Sequence, residues 1–207
     1  MLTTLQIASH KITLKISFIK RMIYFCTMQQ KIVLIGGPGT GKTTVLNELK
    51  NRGFYCFDEV SREVTIKAQE QGIEQLFLTE PLLFSKMLLE GREEQFIASK
   101  KINKKQVFFD RGIPDVHAYM NYFNTEYPSY FIEKSNLYKY DKIFHFSPWK
   151  EIHVTDNERY ETFEESNKID LFLLEAYKQL GYKIINVPFG SVKERTDFIV
   201  NSLTSDL

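Results

Sequence analysis

The residues best equipped for chemistry form one short string, Gly36-Gly-Pro-Gly-Thr-Gly-Lys-Thr-Thr44, which holds four of the ten glycines in a chain of 207 residues. Gly36, Gly41, Lys42 and Thr43 satisfy the spacing G-x-x-x-x-G-K-[ST]. Glycines let successive backbone N–H groups converge on phosphate oxygens, and a helix starting near Lys42 adds the positive end of its dipole. Lys42 then reaches the β- and γ-phosphates, and the Thr43 hydroxyl ligates Mg²⁺. Gly37, Pro38, Gly39, Thr40, Gly41, Lys42, Thr43 and Thr44 are accordingly the expected nucleotide-binding segment, with ATP and Mg²⁺ as the expected cofactors. A second string, Val107-Phe-Phe-Asp-Arg-Gly-Ile-Pro-Asp115, puts Asp110 at the carboxyl end of an apolar run. A carboxylate there is the expected second Mg²⁺ ligand, because ligands of open α/β sheets collect at the strands' carboxyl ends.

Arg111 follows Asp110 where motor-type ATPases usually carry a Glu that activates water. The Asp-Arg pair resembles the small-molecule, nucleoside and nucleotide kinases of the P-loop class, and that resemblance implies further roles. Arg111 would face the acceptor or the transferred phosphoryl group, with Asp115 on the acceptor side. The string Phe57-Asp-Glu-Val-Ser-Arg-Glu63 presents Asp58 and Glu59 where such kinases keep a general base; Glu59 is the first choice and Asp58 the second, with Asp58 and Arg62 also on the acceptor side. Asp58 as a helix cap and Arg62 in an exposed ion pair are the competing readings. In the charged stretch from Trp149 to Glu165, Arg159 corresponds to the lid arginine that closes over the phosphates, with Lys150 a lesser candidate and a solvated helix face the alternative. Arg195, after the turn Val187-Pro-Phe-Gly-Ser191, would border the nucleotide base, while Ser191 there also suits simple helix capping.

These residues need elements that bring them together. From Lys31 onward, short apolar runs alternate with longer amphipathic segments, the signature of βαβ units and a mainly parallel sheet. Five strands are predicted at Lys31–Ile35, Phe54–Phe57, Gln106–Phe109, Lys142–Phe146 and Lys183–Val187. Helices are predicted at Lys42–Asn51, Val60–Glu70, Pro81–Lys101, Pro114–Phe123, Ser129–Leu137 and Glu158–Leu180, with a terminal helix after Gly190. The predicted class is α/β, a three-layer P-loop NTPase with a five-stranded sheet. Aromatics such as Phe84, Tyr119, Tyr138 and Tyr140 suit either an acceptor pocket or a core, and core is favoured for any one of them. His117 and His145 have no partner His or Cys at ligand spacing and are read as structural.

Composition excludes several classes. Lys and Arg total 27 against 26 Asp and Glu, a formal charge of +1 that gives no general reason to expect DNA or RNA. Two cysteines, Cys26 and Cys56, with no CxxC and no Cys/His cluster, argue against zinc and thiol chemistry and suit a reducing, cytoplasmic setting. No apolar run reaches the ~18 residues of a membrane span. Residues 1–27 hold Lys11, Lys15, Lys20 and Arg21 and no acid, so the rest of the chain is mildly acidic. Three readings of that stretch stand: an upstream extension with Met28 as the working start, a targeting peptide, or a basic arm. The expected organisation is an N-terminal extension over 1–27 and one P-loop domain over 28–207.

GGPGTGKTT, DEVSREV, FFDRGIPD, the lid-like loop and GYKIINVPFGSVKER together resemble the AAA-type ATPase family grouped with the NadR ribosylnicotinamide kinase domain. The resemblance runs from about Lys31 towards the C-terminus. It implies strand order 2-3-1-4-5, ATP binding and phosphotransferase ability. The expected function is Mg-dependent transfer of a γ-phosphoryl group to a small nucleoside-like or hydroxyl metabolite of open identity. The alternative is a nucleotide-dependent switch or slow NTPase read by a protein or membrane.

Overall fold

The computed structural model describes residues 29–70, 72–73, 76–153 and 161–204. The stretch 1–27 and Arg159 therefore lie outside the described residues.

The apolar runs pair as one parallel sheet of β1 (Gln30–Ile35), β2 (Tyr55–Phe57), β3 (Gln106–Asp110), β4 (Lys142–His145) and β5 (Ile184–Asn186), in the order β2-β3-β1-β4-β5. Around it run α1 (Lys42–Asn51), α2 (Val60–Glu70), α3 (Leu76–Thr79), α4 (Pro81–Ser99), α5 (Pro114–Tyr122), α6 (Tyr130–Leu137), α7 (Phe163–Gln179) and α8 (Val192–Thr204).

β1 shows why the sheet is central. Ile32, Val33, Leu34 and Ile35 are all fully buried, so both faces of the strand are covered, as a parallel sheet requires. Ile32 and Leu34 point with Phe108 and Phe144 into a core closed by Val45, Leu46 and Leu49 of α1 and Ile199 and Leu203 of α8. Val33 and Ile35 point the other way, against Phe109, Phe96 of α4 and Tyr177 of α7. Each such side chain contributes roughly 1.5–3 kcal/mol by leaving water. The result is a three-layer stack whose strand ends are fixed by packing on both sides.

Element boundaries move by a few residues from expectation. The long helix predicted from Glu158 is described from Phe163, where Thr162 accepts from the Glu165 N–H and Glu165 reaches back to the Thr162 N–H, a complete capping box. The one-turn helix α3 was not foreseen. Among the described residues, no helix is long and apolar enough to cross a membrane.

Candidate functional site

The sheet register brings three separate chain segments to one edge. β1 pairs with β3 so that Leu34 lies opposite Asp110, and with β4 so that Ile35 lies opposite His145. The loops leaving β1, β2 and β3 thus open side by side, and a cavity of about 530 Å³ lies among them. Lys42, Thr43, Glu59, Asp110, Arg111, Asp115 and Arg195 all line it. This is the crevice at the carboxyl ends where the strand order reverses around β1.

The glycine loop adopts backbone that side chains would forbid. Gly36 has φ 143°, and a Cβ there would stand 2.3 Å from the Phe146 carbonyl oxygen. Gly39 has φ 73°, and its Cβ would meet His153 Nδ1 at 2.5 Å. Gly41, also left-handed at φ 81°, turns the chain directly into α1, so Lys42 is the first helical residue. Amides at a helix start point outward and favour an anion.

Lys42 is almost wholly buried, and its ammonium donates to the Gly36 carbonyl at 2.9 Å, the Gly37 carbonyl at 2.8 Å and Thr40 Oγ1 at 3.2 Å. Burial, and next the nearby Arg111, lower its pKa to about 8, against the pull of Asp110, Asp115 and Glu59. The Thr43 hydroxyl lies 3.5 Å from Asp110 Oδ2. Burial first and the Glu59 charge second push the Asp110 carboxyl up to about 6.

Glu59, also in the cavity lining, sits between two guanidinium groups. Arg92 Nη2 is 2.9 Å from Glu59 Oε1, and Arg111 Nε is 2.6 Å from Oε2. Burial raises the Glu59 pKa, but Arg92 and Arg111 outweigh it and hold the carboxylate below its ordinary range. Arg92 also donates to the Gly112 carbonyl at 3.0 Å. Arg111 has φ 71°, a left-handed backbone that costs a non-glycine residue on the order of 1–3 kcal/mol and persists where its surroundings over-determine it. Here the Glu59 pair, Asp115 at 3.5 Å and the Tyr119 ring at 5.2 Å supply that constraint. Asp115 is fully buried and accepts from the Gly112 N–H at 2.9 Å and the Tyr177 hydroxyl at 2.6 Å. Phe84, Leu88, Val116 and Tyr119 also line the cavity.

Not every expected residue meets here. Asp58 is exposed, and its carboxylate pairs with Lys50 outside the cavity. Arg62 and Lys150 are likewise absent from its lining. Arg195 is buried beside the loop, donating to the Thr40 carbonyl at 3.2 Å and lying 5.7 Å from the Trp149 ring, which stacks on Phe189. The capping reading of Ser191 also holds, through its exchange with Glu194. Sequence reasoning missed Arg92 and His153. The signal for Arg92 was its phase: Ser85, Leu88, Leu89, Arg92, Phe96 and Ser99 form the buried face of α4.

The donor set fits Mg²⁺. Thr43 and Asp110 offer adjacent oxygens, and a small hard cation of this kind takes one or two protein ligands and completes its shell with water and phosphate. Among the described residues, no group of three or more His, Cys, Asp or Glu could hold a metal alone.

A glycine loop entering a helix after the central strand, an Asp closing the neighbouring strand and the 2-3-1-4-5 parallel order define a P-loop NTPase fold of the nucleoside-kinase type. The chain belongs to the AAA domain family, whose model matches residues 31–195. That assignment is coarser than the NadR-like group. No curated protein matches the sequence. Among solved structures it is similar to deoxyadenosine kinase from M. mycoides with products dCMP and a flexible dCDP bound, at 21% identity and TM-score 0.66, covering 85% of this chain and 100% of that one. It is also similar to thymidylate kinase from Candida albicans, at 17% identity and TM-score 0.64, covering 86% of this chain and 92% of that one. The dATP-bound M. mycoides deoxyadenosine kinase gives 18% identity and TM-score 0.58 over 86% of this chain and 100% of that one. At these identities the likeness is one of fold.

Proposed function

We propose that the protein is a Mg-ATP-dependent kinase that phosphorylates a hydroxyl of a small, nucleoside-like metabolite. The observation that carries this reading is the joint lining of one cavity by Lys42, Thr43 and Asp110, by Glu59 with Arg111, and by the apolar side chains of Phe84, Leu88 and Val116, which suit an acceptor. The similar structures, a deoxyadenosine kinase and a thymidylate kinase, agree with that class.

In this reading the loop amides from Gly39 to Thr44 bind the triphosphate, and Lys42 and Arg111 neutralise charge that develops on the transferred group. Arg159, outside the described residues, would add a further cation by the resemblance alone, and Arg195 borders the nucleotide base. Thr43 and Asp110 would hold Mg²⁺, which when bound would supply neutralisation of phosphate charge. Glu59 accepts a hydrogen bond from the acceptor hydroxyl and finally its proton, as the oxygen–phosphorus bond forms and the bond to the ADP oxygen breaks. A carboxylate held ionised by two arginines is a weak base. That suffices, because phosphoryl transfer proceeds through a loose transition state dominated by positioning and charge. Asp115 holds the Gly112 turn and Arg111 rather than the acceptor itself.

ADP release measured over a panel of nucleosides and small alcohols tests the reading, with Lys42→Ala and Glu59→Gln as controls. Acceptor-stimulated turnover lost in both variants supports it. Triphosphate binding without stimulation by any member would replace it with the nucleotide switch or slow NTPase.

A further inference from the structure

The buried side of α7 is unusually polar. Ser166, Asp170, Leu173 and Tyr177 fall at i, i+4, i+7 and i+11, one stripe of the helix, and all are buried. A buried hydroxyl or carboxylate costs free energy unless it is hydrogen-bonded, so such a stripe is ordinarily apolar. Here the polar members are satisfied by the site itself. Ser166 Oγ donates to the Pro38 carbonyl at 2.8 Å, and Asp170 Oδ1 accepts from the Gly37 N–H at 3.4 Å. Ser166 also stands where a Cβ on Gly37 would fall, with its Oγ 2.5 Å away. Two consecutive residues of the phosphate loop are thus anchored to one helix.

Behind Asp170 lies His145, the last residue of β4. Its Nε2 is 2.9 and 3.0 Å from the two Asp170 oxygens, and its Nδ1 is 2.9 Å from Asn186 Oδ1 on β5. The ring is buried and held at both nitrogens, so it fixes the direction in which the carboxylate presents its oxygens. That leaves Asp170 able to accept from His145 and from the loop at once. His145, read from the sequence as structural, thus has definite partners on α7 and β5.

We propose that Asp170, oriented by His145, and Ser166 are positioning residues that set the phosphate loop in its triphosphate-binding shape. They act on the loop's backbone and touch neither the reactants nor the acceptor side. The proposal rests on the loop being a triphosphate site, as in the function proposed above.

The test uses the full chain and Mg-ATP, measuring affinity by titration calorimetry and Tm in parallel. Asp170→Asn and His145→Phe are each expected to weaken Mg-ATP about tenfold, the scale of a hydrogen bond to a charged group. Because His145 acts through Asp170, the double variant should lose no more than Asp170→Asn alone. Leu173→Ala is the structural control: fully buried on the same stripe, with no hydrogen bond to the loop, it should lower Tm and leave Mg-ATP affinity unchanged. If Asp170→Asn does not fold, Asn186→Ala at an exposed position loosens the same imidazole and should weaken Mg-ATP about threefold. Additive losses, or variants that move Tm alone, overturn the proposal while leaving the kinase reading intact. A wild-type chain that binds no Mg-ATP overturns both.

Discussion

Triphosphate binding should draw a proton onto Lys42 in alkaline solution. Burial brings the Lys42 pKa from 10.5 down to about 8. The fold therefore favours the neutral amine: its stabilising contribution is fully present above pH 10.5 and lost as pH falls through about 8. At neutral pH the buried ammonium costs about 3 kcal/mol, from a depression of 2–3 pH units at 1.36 kcal/mol each. A bound triphosphate surrounds the ammonium with negative charge and returns its pKa to the ordinary range or above. At pH 9 about nine-tenths of the free protein carries the neutral amine, so binding should take up about 0.9 proton, against about 0.1 at pH 7. Mg-ATP affinity should then fall nearly tenfold per pH unit above about 8. Calorimetry in two buffers of different ionisation enthalpy at pH 9 reads the uptake directly. Zero uptake at pH 9, or the same pH dependence in Lys42→Arg, whose guanidinium stays charged, would refute the reasoning.

Three further outcomes follow from the same site. Glu59→Gln should leave Mg-ATP affinity within about threefold but cut acceptor-dependent turnover by roughly 10²–10⁴, and it should lower stability by about 2 kcal/mol because Arg92 and Arg111 lose their counter-charge; unaltered turnover would remove Glu59 as the base. The Asp110 pKa is raised from 3.8 to about 6, so its contribution to stability is present below pH 3.8 and lost as pH rises through 6, while Mg²⁺ must displace its proton under acid conditions. The Mg²⁺-dependent part of nucleotide affinity should accordingly weaken below about pH 6 and vanish in Asp110→Asn at every pH, as a titration with and without Mg²⁺ would show. Gly39→Ala should abolish tight Mg-ATP binding, because the residue is left-handed and a Cβ collides with His153; His153→Ala in the same chain should recover only the part due to the collision.

The phosphate loop was legible because its requirement is local: glycine density, a lysine and a hydroxyl at fixed spacing. Asp110 was legible because an acid ending an apolar run marks a strand's carboxyl end. Glu59 was ranked ahead of Asp58 by resemblance and not by pattern, since neighbours at a strand exit point to opposite sides and the direction depends on where β2 pairs. It is Glu59 that enters the cavity, while Asp58 turns out to Lys50. Arg92 stayed hidden because its meaning lies in a partner 33 residues away across the fold. Its phase on α4 would have flagged it, as an arginine inside an apolar stripe. Asp170, and the pairing of His145 with it, escaped for the same reason, being recognisable through packing rather than spacing. The strand order came from resemblance, whereas strand and helix placement came from periodicity.

The central place of β1 has a consequence for how the site comes into being. β1 is hydrogen-bonded to β3 and β4, not to β2, so its nearest partners lie more than seventy residues further along the chain. Parallel pairings of that sequence separation close large loops and form slowly. The glycine loop therefore remains an unframed coil until β3 and β4 have been made and docked. A nucleotide that binds the framed loop would favour the completed fold over its unfinished forms.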